Sequence, residues 1–575
     1  MTSQPPGEIT APLAQRIGWA VLILITLYIC YFSHLGVIGF VGPDEPRYAW
    51  IARDMAETGD WVTPRLYGKP WFEKPPLLYW GGAIFFRLFP GQPEVAARLT
   101  SAICALFATL TLAWLAWLTY GEACARSLLL LLPTSVGMIG FSHAAATDMP
   151  FAGILTIAMV CAAVALGLTR RVSGFVLTNL DVRDDNTPIL PRTPWLALIL
   201  FGFFLGLAVL AKGPAAIILS GGAVFFLAIF SKRWRDAFRM LHPAAIASFC
   251  LTALPWYILC ARRNPDFFHI FIIEHNFKRY LTPEFQHVQP FWFYIPILLI
   301  AFLPWIATLI WSASLGFRTR GHHRLTSFLL AWSLFSILFF SISRSKLPGY
   351  ILPAIPAIGL LLARGVQSLG QIRIKSFRLC AAIGSVFFAI TSLLLFEIGR
   401  LTALHSHLNG KAGTAYALLA LSFALANLFL IFARWKRAHG SAIPLQPLAA
   451  LPIVAAMLFA PYFVWSNFAY DPSGQTIGNT LRRQAAVADD LLVGNMNRGK
   501  HYGLNFYLHR DIPDWDPAHP RVGYLLLRNR NCAGIVPAPY VCSTDPAFFE
   551  ESGEYLYKVT SPASPAPLGG RREPK

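Results

Sequence analysis

Two adjacent carboxylates, Asp44 and Glu45, stand between prolines in the run Gly42-Pro43-Asp44-Glu45-Pro46-Arg47-Tyr48. A carboxylate held between rigid residues suits general-base work or the orienting of a substrate hydroxyl. The plain alternative is a proline-rich turn with solvated acids. Further on, Trp71-Phe72-Glu73-Lys74-Pro75-Pro76 sets an ion pair among aromatics. Lys74 there is either a point charge for phosphate or a snorkelling anchor at an interface. Asp148 opens an apolar run in Thr147-Asp148-Met149-Pro150, a position that suits a helix N-terminus. Lys212, in Ala211-Lys212-Gly213-Pro214, is the charge in an apolar hairpin. Two more runs crowd ionisable groups: Glu274-His275-Asn276-Phe277-Lys278-Arg279-Tyr280 and Ser343-Arg344-Ser345-Lys346-Leu347-Pro348-Gly349-Tyr350. Each alone reads as surface decoration. Together they supply the several cations that a departing phosphate or diphosphate requires.

The elements that position these residues are apolar. Of 575 residues, 55% are hydrophobic and 13% charged, and mean hydropathy is +0.51. A soluble globular chain runs nearer a quarter charged, and the apolar and aromatic content excludes disorder. Runs long enough to span a bilayer recur from Ile17 to Trp465. They fall at about 17–40, 95–119, 125–142, 149–168, 195–211, 214–230, 243–260, 291–312, 325–342, 350–363, 379–396, 413–433 and 447–465. The expectation is a polytopic α-helical membrane protein with about 13 transmembrane helices.

Net charge is +19, but the basic residues gather in alternate short breaks, such as Lys232, Arg233, Arg235 and Arg239. That is topology sorting by the positive-inside rule. It predicts a cytoplasmic N-terminus, an uncleaved first anchor and an outer tail. No nucleic-acid-reading motif accompanies the charge. On this topology the acids and bases above, and the loops 41–94 and 261–290, all lie on the outer, periplasmic side. The expected units are residues 1–465, spanning the membrane and carrying the site, a small C-terminal α/β domain at 466–560, and a disordered tail at 561–575. Strand-like patches occur at Val522–Arg528 and Tyr555–Val559. Cys532 and Cys542 are the tail's two cysteines, and an oxidising compartment would favour their pairing.

The motifs Gly-Pro-Asp-Glu-Pro-Arg-Tyr, Phe-Glu-Lys-Pro-Pro-Leu-Leu-Tyr-Trp, Thr-Asp-Met-Pro, Ala-Lys-Gly-Pro and Ser-Lys-Leu-Pro-Gly-Tyr-Ile-Leu-Pro occur in this order. The set resembles bacterial membrane glycosyltransferases of the GT-C fold. The nearest group is the lipid A aminoarabinose transferases (ArnT), related to protein O-mannosyltransferases. The likeness covers about residues 17–465 and implies a GT-C-like architecture with thirteen spans and an outer C-terminal domain.

It also implies sugar transfer from a polyprenyl-phosphate donor, undecaprenyl phosphate in bacteria, at the outer leaflet of the inner membrane. The acceptor would be lipid A or another envelope component, reached by an inverting single displacement. Asp44, supported by Glu45, would activate or orient the acceptor. Lys74 and Arg279, with Lys212, Lys346 and Tyr350, would clamp the donor phosphate. Arg47, Glu73, Asp148 and His275 would line the cavity. No cofactor is required on this reading; a divalent metal, if one binds, would use Glu73 and His275. The absence of a Gly-rich phosphate loop before a helix agrees with a lipid-linked donor. A protein O-mannosyltransferase-like enzyme is the rival within the class. A lipid-linked sugar transporter or flippase is the rival outside it, although such sites sit near the bilayer midplane and here the charges collect at one rim.

Overall fold

The computed structural model describes residues 13–169, 195–278, 288–310, 324–368, 374–406, 411–432, 436–438, 441–443, 446–464, 471–483, 489–528, 531–532, 534–543 and 554–561. Among these, eight helices are long and apolar enough to cross a bilayer, and nine when one bent pair counts as a span. Outward-facing apolar residues stay uncovered, as with Leu251 at 78% exposure. Lipid rather than water is the solvent that suits such faces.

Helix α1 (Leu13–Tyr31) leads to a connecting segment formed by α2 (Asp44–Thr58), a hairpin of β1 (Arg65–Leu66) and β2 (Lys69–Pro70), and α3 (Leu77–Leu88). Next come α4 (Pro93–Tyr120), α5 (Glu122–Leu131), α6 (Val136–Ser142) and α7 (Asp148–Ala165). The bundle continues through α8 (Trp195–Lys212), α9 (Ala215–Ser231), α10 (Trp234–Met240) and α11 (Pro243–Arg263). After a π-helical segment, His269–Lys278, follow α12 (Tyr294–Ala301), α13 (Arg324–Ile342), α14 (Ile355–Ser368), α15 (Ile374–Ser406), α16 (Lys411–Phe432) and α17 (Leu451–Val464).

At its 28 residues α4 is about 42 Å long. It buries Ala102, Ala105, Ala108 and Ala113 and packs on the almost wholly buried α7, with Gly153 of α7 against the Cys104 backbone. Small residues let two helix backbones approach closely inside a membrane bundle.

Two expected spans take a different form. The first helix stops at Tyr31 instead of running to residue 40. The carbonyls of Leu35, Ile38 and Gly39 instead accept hydrogen bonds from the Arg98 guanidinium on α4. The expected span 125–142 is the pair α5 and α6, bent by 63° at a break that contains Pro133. Proline removes a helical hydrogen bond and clashes with the preceding turn, so the bend has a local cause.

Between α16 and α17, β3 (Lys436–Ala438) and β4 (Ser441–Ile443) pair as an antiparallel hairpin. Beyond the bundle, α18 (Gln475–Arg482) and α19 (Arg498–Leu508) pack against a four-stranded sheet. Its order is β5 (Leu491–Gly494), β6 (Gly523–Leu527), β8 (Tyr555–Thr560), β7 (Val541–Cys542). Strands β5 and β6 run parallel, and β8 runs antiparallel to β6 and β7. Ile477, Leu481, Val493, Leu504, Leu526 and Leu556 fill one side of it. Lys500 and Glu554 make a fully buried ion pair, and Cys532 is disulfide-bonded to Cys542. Strands therefore form at both patches expected from the sequence.

Candidate active site

Asp44 and Glu45 are the first residues of α2, where carboxylates favour the partly positive helix N-terminus. Pro46 falls in the first turn, where no intrahelical N–H is needed. Successive helical residues point about 100° apart, so the two acids diverge. The Asp44 side chain is 50% exposed, and Glu45 is buried.

Glu45 is a junction. Arg98 reaches it with Nε to Oε1 at 3.0 Å and Nη2 to Oε2 at 2.8 Å. The backbone N–H of Val41 donates to Oε2 at 2.8 Å, and that of Ala145 donates to Oε1 at 2.7 Å. One carboxylate thus fastens the turn before Asp44 to α4 and to the loop that leads into Asp148.

Arg47 extends the arrangement. Its Nε donates to the Pro43 carbonyl at 2.8 Å, its Nη1 to Glu73 Oε2 at 3.1 Å, and its Nη2 to Asp44. The guanidinium lies against the rings of Trp71 at 5.5 Å and Tyr502 at 5.4 Å. Burial works against its charge, but Glu73, Tyr48 and Asp44 outweigh it, and the pKa rises. Lys74 Nζ sits 3.4 Å from Glu73 Oε1. Asp44, Arg47, Glu73 and Lys74 therefore form one connected cluster.

A second cluster lies beyond the Ala145 link. Lys212, ending α8, pairs with Asp148, which opens α7. Its ammonium also lies 4.6 Å from the centre of the Tyr350 ring. Lys346 is otherwise engaged: it is buried and donates to the carbonyls of Gln289 at 2.9 Å and Ser343 at 2.6 Å. Burial, then Arg344, pulls its pKa down. Those bonds fasten its own turn. His275 is half-buried on the π-helical segment, and Arg279 lies outside the described residues. Among the described residues no three His, Cys, Asp or Glu side chains gather as metal ligands, and Glu73 is met by two cations. These residues do not compose a metal cage.

The C-terminal elements complete the outer wall. Gly42 needs its positive φ of 72° for the turn into α2. A Cβ on Gly499 would lie 2.9 Å from the Gly42 carbonyl carbon, so α19 meets this turn backbone to backbone. Tyr507 accepts from the Phe40 N–H at 3.0 Å and donates to Glu94 Oε1 at 2.8 Å. Burial and Glu94 push its phenol pKa up, which keeps it the donor. Arg53 of α2 donates to the Phe506 carbonyl at 3.1 Å and stacks over that ring at 4.1 Å.

Replacing Tyr507 with Phe orphans the buried Phe40 N–H. The expected cost is about 1–3 kcal/mol, read as a lower unfolding midpoint in detergent with the disulfide still formed. An unchanged midpoint would show that this contact does not hold α19 to the turn.

The sequence reading singled out neither Arg98 nor Tyr507. Arg98 carried a usable signal, a charge inside the apolar span expected at 95–119. Tyr507 carried none, because its partners lie more than 400 residues away.

Residues 18–271 match the family model for dolichyl-phosphate-mannose-protein mannosyltransferase. An undecaprenyl phosphate-alpha-4-amino-4-deoxy-L-arabinose arabinosyl transferase of Serratia proteamaculans is 32% identical over 67% of this chain and 66% of its own length. One of Aeromonas salmonicida is 31% identical over 71% of this chain and 70% of its own. The chain thus spans about two thirds of the length of these relatives. The crystal structure of ArnT from Cupriavidus metallidurans bound to undecaprenyl phosphate superposes with TM-score 0.74, at 21% identity, over 97% of this chain and 100% of that one. The same protein in the apo state gives 0.70 at 22% identity, over 94% of this chain and 98% of that one. The GT-C fold expected from the sequence is the fold found.

Proposed function

The chain belongs to the family of undecaprenyl phosphate-alpha-4-amino-4-deoxy-L-arabinose arabinosyl transferases, and from that premise we propose that it moves aminoarabinose from undecaprenyl phosphate to a phosphate of lipid A. The observation that carries this reading is the pairing of one accessible carboxylate, Asp44, with two connected cations, the buried Arg47 and the half-buried Lys74.

The acceptor phosphate oxygen attacks the anomeric carbon as the bond from that carbon to the donor phosphate oxygen breaks. The electron pair leaves with undecaprenyl phosphate, and the anomeric configuration inverts. An ionised phosphate acceptor has no proton to lose, so Asp44 orients it or the incoming sugar. Lys74 meets the charge on the leaving phosphate as a point charge, a role shared with Arg279. Lys212 and Tyr350 line the far wall with Asp148. Lys346 braces its turn instead of binding phosphate, and Glu45 positions Asp44 without touching substrate.

Thirteen crossings with a cytoplasmic N-terminus set this site and residues 466–560 in the periplasm of the inner membrane. The Cys532–Cys542 bond supports an oxidising compartment for that C-terminal unit.

The test is transfer by purified protein from labelled undecaprenyl-phosphate aminoarabinose, offered lipid A and a serine-containing peptide in parallel. Label in lipid A alone is the expected result. Label in the peptide would move the reading to a protein O-glycosyltransferase, as the mannosyltransferase family match favours. Absence of both transfer and donor hydrolysis would overturn the enzymatic reading.

A further inference from the structure

Away from this site, the bundle carries a groove that sugar transfer does not use. Helix α9 packs on α13 while α11 packs on α8, so α9 and α11 diverge from one another. The space between them is an apolar cleft of about 420 Å³, within the ~300–1,000 Å³ typical of ligand clefts. Ile217, Gly221 and Phe225 line it from α9, and Ile246 and Phe249 from α11.

Its end is closed by α10. There Trp234, Ala237, Phe238 and Leu241 recur at i, i+3, i+4 and i+7 and all face the cleft. Arg235 and Arg239, four residues apart, share another face of the same short helix. Lys232, Arg233 and Arg235 are exposed and Arg239 is half-buried. The described carboxylate among them, Asp236, is buried and already held by Arg324 at 2.6 Å and Arg233 at 3.5 Å. Lys232, Arg235 and Arg239 therefore add net positive charge at one end of an apolar slot. Topology sorting accounts for basic residues at this rim, but not for an apolar cleft that terminates on them.

We propose that this cleft holds one anionic glycerophospholipid, its acyl chain lying between α9 and α11 and its headgroup phosphate against Lys232, Arg235 and Arg239. A basic pocket between membrane helices selects a lipid by headgroup charge, and the interfacial helix α10 supplies both the apolar floor and the cations. The inference is independent of the transfer reaction above.

The full chain in detergent would be titrated with phosphatidylglycerol and with phosphatidylcholine of identical acyl chains, and bound lipid counted by native mass spectrometry. Wild type is expected to prefer phosphatidylglycerol about tenfold, from a few surface cations near one headgroup. Arg235→Gln with Arg239→Gln should bring that preference close to unity while phosphatidylcholine binding persists. A Cβ at Gly221, which lines the cleft, meets nothing within 4 Å, so Gly221→Leu projects into the space the acyl chain would take, with a gain in helix propensity. It should abolish binding of both lipids at this site and leave the lipid-free unfolding midpoint and sugar transfer unchanged.

Equal binding of the two lipids by wild type would overturn the proposal. So would a preference that survives in the arginine variant, or unchanged phosphatidylglycerol binding by Gly221→Leu. A dimer that Gly221→Leu dissociates, with neither lipid bound, would assign the cleft to a second copy and also overturn it.

Discussion

Asp44→Asn is expected to lower transfer by about 100-fold or more while the protein unfolds at its ordinary midpoint. Asparagine keeps the size of the side chain. The position is half-exposed, and Arg47 retains Glu73 and the Pro43 carbonyl when Asp44 loses its charge. What disappears is the accessible carboxylate proposed to orient the acceptor.

The acceptor separates two roles. A base that removes a proton matters for a serine hydroxyl acceptor and is idle for an ionised phosphate. A carboxylate that only orients gives a loss with the phosphate acceptor as well. Undiminished turnover in the variant would remove Asp44 from the reaction altogether.

Arg98→Ala is expected to act on the fold before it acts on chemistry. It leaves the buried Glu45 carboxylate with two backbone donors, and strips the guanidinium from three carbonyls in residues 35–39. Breaking one side of a buried ion pair costs about 3–5 kcal/mol, and the orphaned carbonyls add to it.

The double variant Arg98→Met with Glu45→Leu removes both charges together, so it should recover part of the loss. It will not recover all of it, because the turn still lacks its donors. Thermal unfolding in detergent measures the three proteins. An unchanged midpoint for Arg98→Ala would mean that the turn before Asp44 is held by other contacts.

The apolar runs were legible because a bilayer imposes length and composition directly on sequence. The charged residues beside prolines were legible as a set because ionisable groups at a membrane rim need a reason to be there. The division of labour between Asp44 and Glu45 was not. Adjacent acids look alike in one dimension, and only the helical rotation of α2 turns one outward and buries the other.

The surroundings of Lys346 are hidden for a related reason, since a lysine's charge is visible in sequence while the carbonyls of Gln289 and Ser343 that it bonds are not. Pro133 was in plain view inside the run 125–142, yet hydropathy alone carried that span straight through it. The contacts from Tyr502 and Phe506 onto α2, and from Tyr507 onto the turn before it, join segments more than 450 residues apart, and no local pattern encodes a pairing of that range.

The meeting of Gly42 with Gly499 has a consequence for the order in which the protein becomes competent. Residue 44 leaves the ribosome 455 residues before residue 499, which at ordinary synthesis rates is roughly 20–90 s. Throughout that interval α2 lacks its outer wall, with Arg47 missing the Tyr502 ring and the turn at Phe40 missing the Tyr507 hydroxyl. A nascent chain stalled before α19 therefore lacks the backbone contact that closes the turn ahead of Asp44. The proposed site is assembled only late in synthesis.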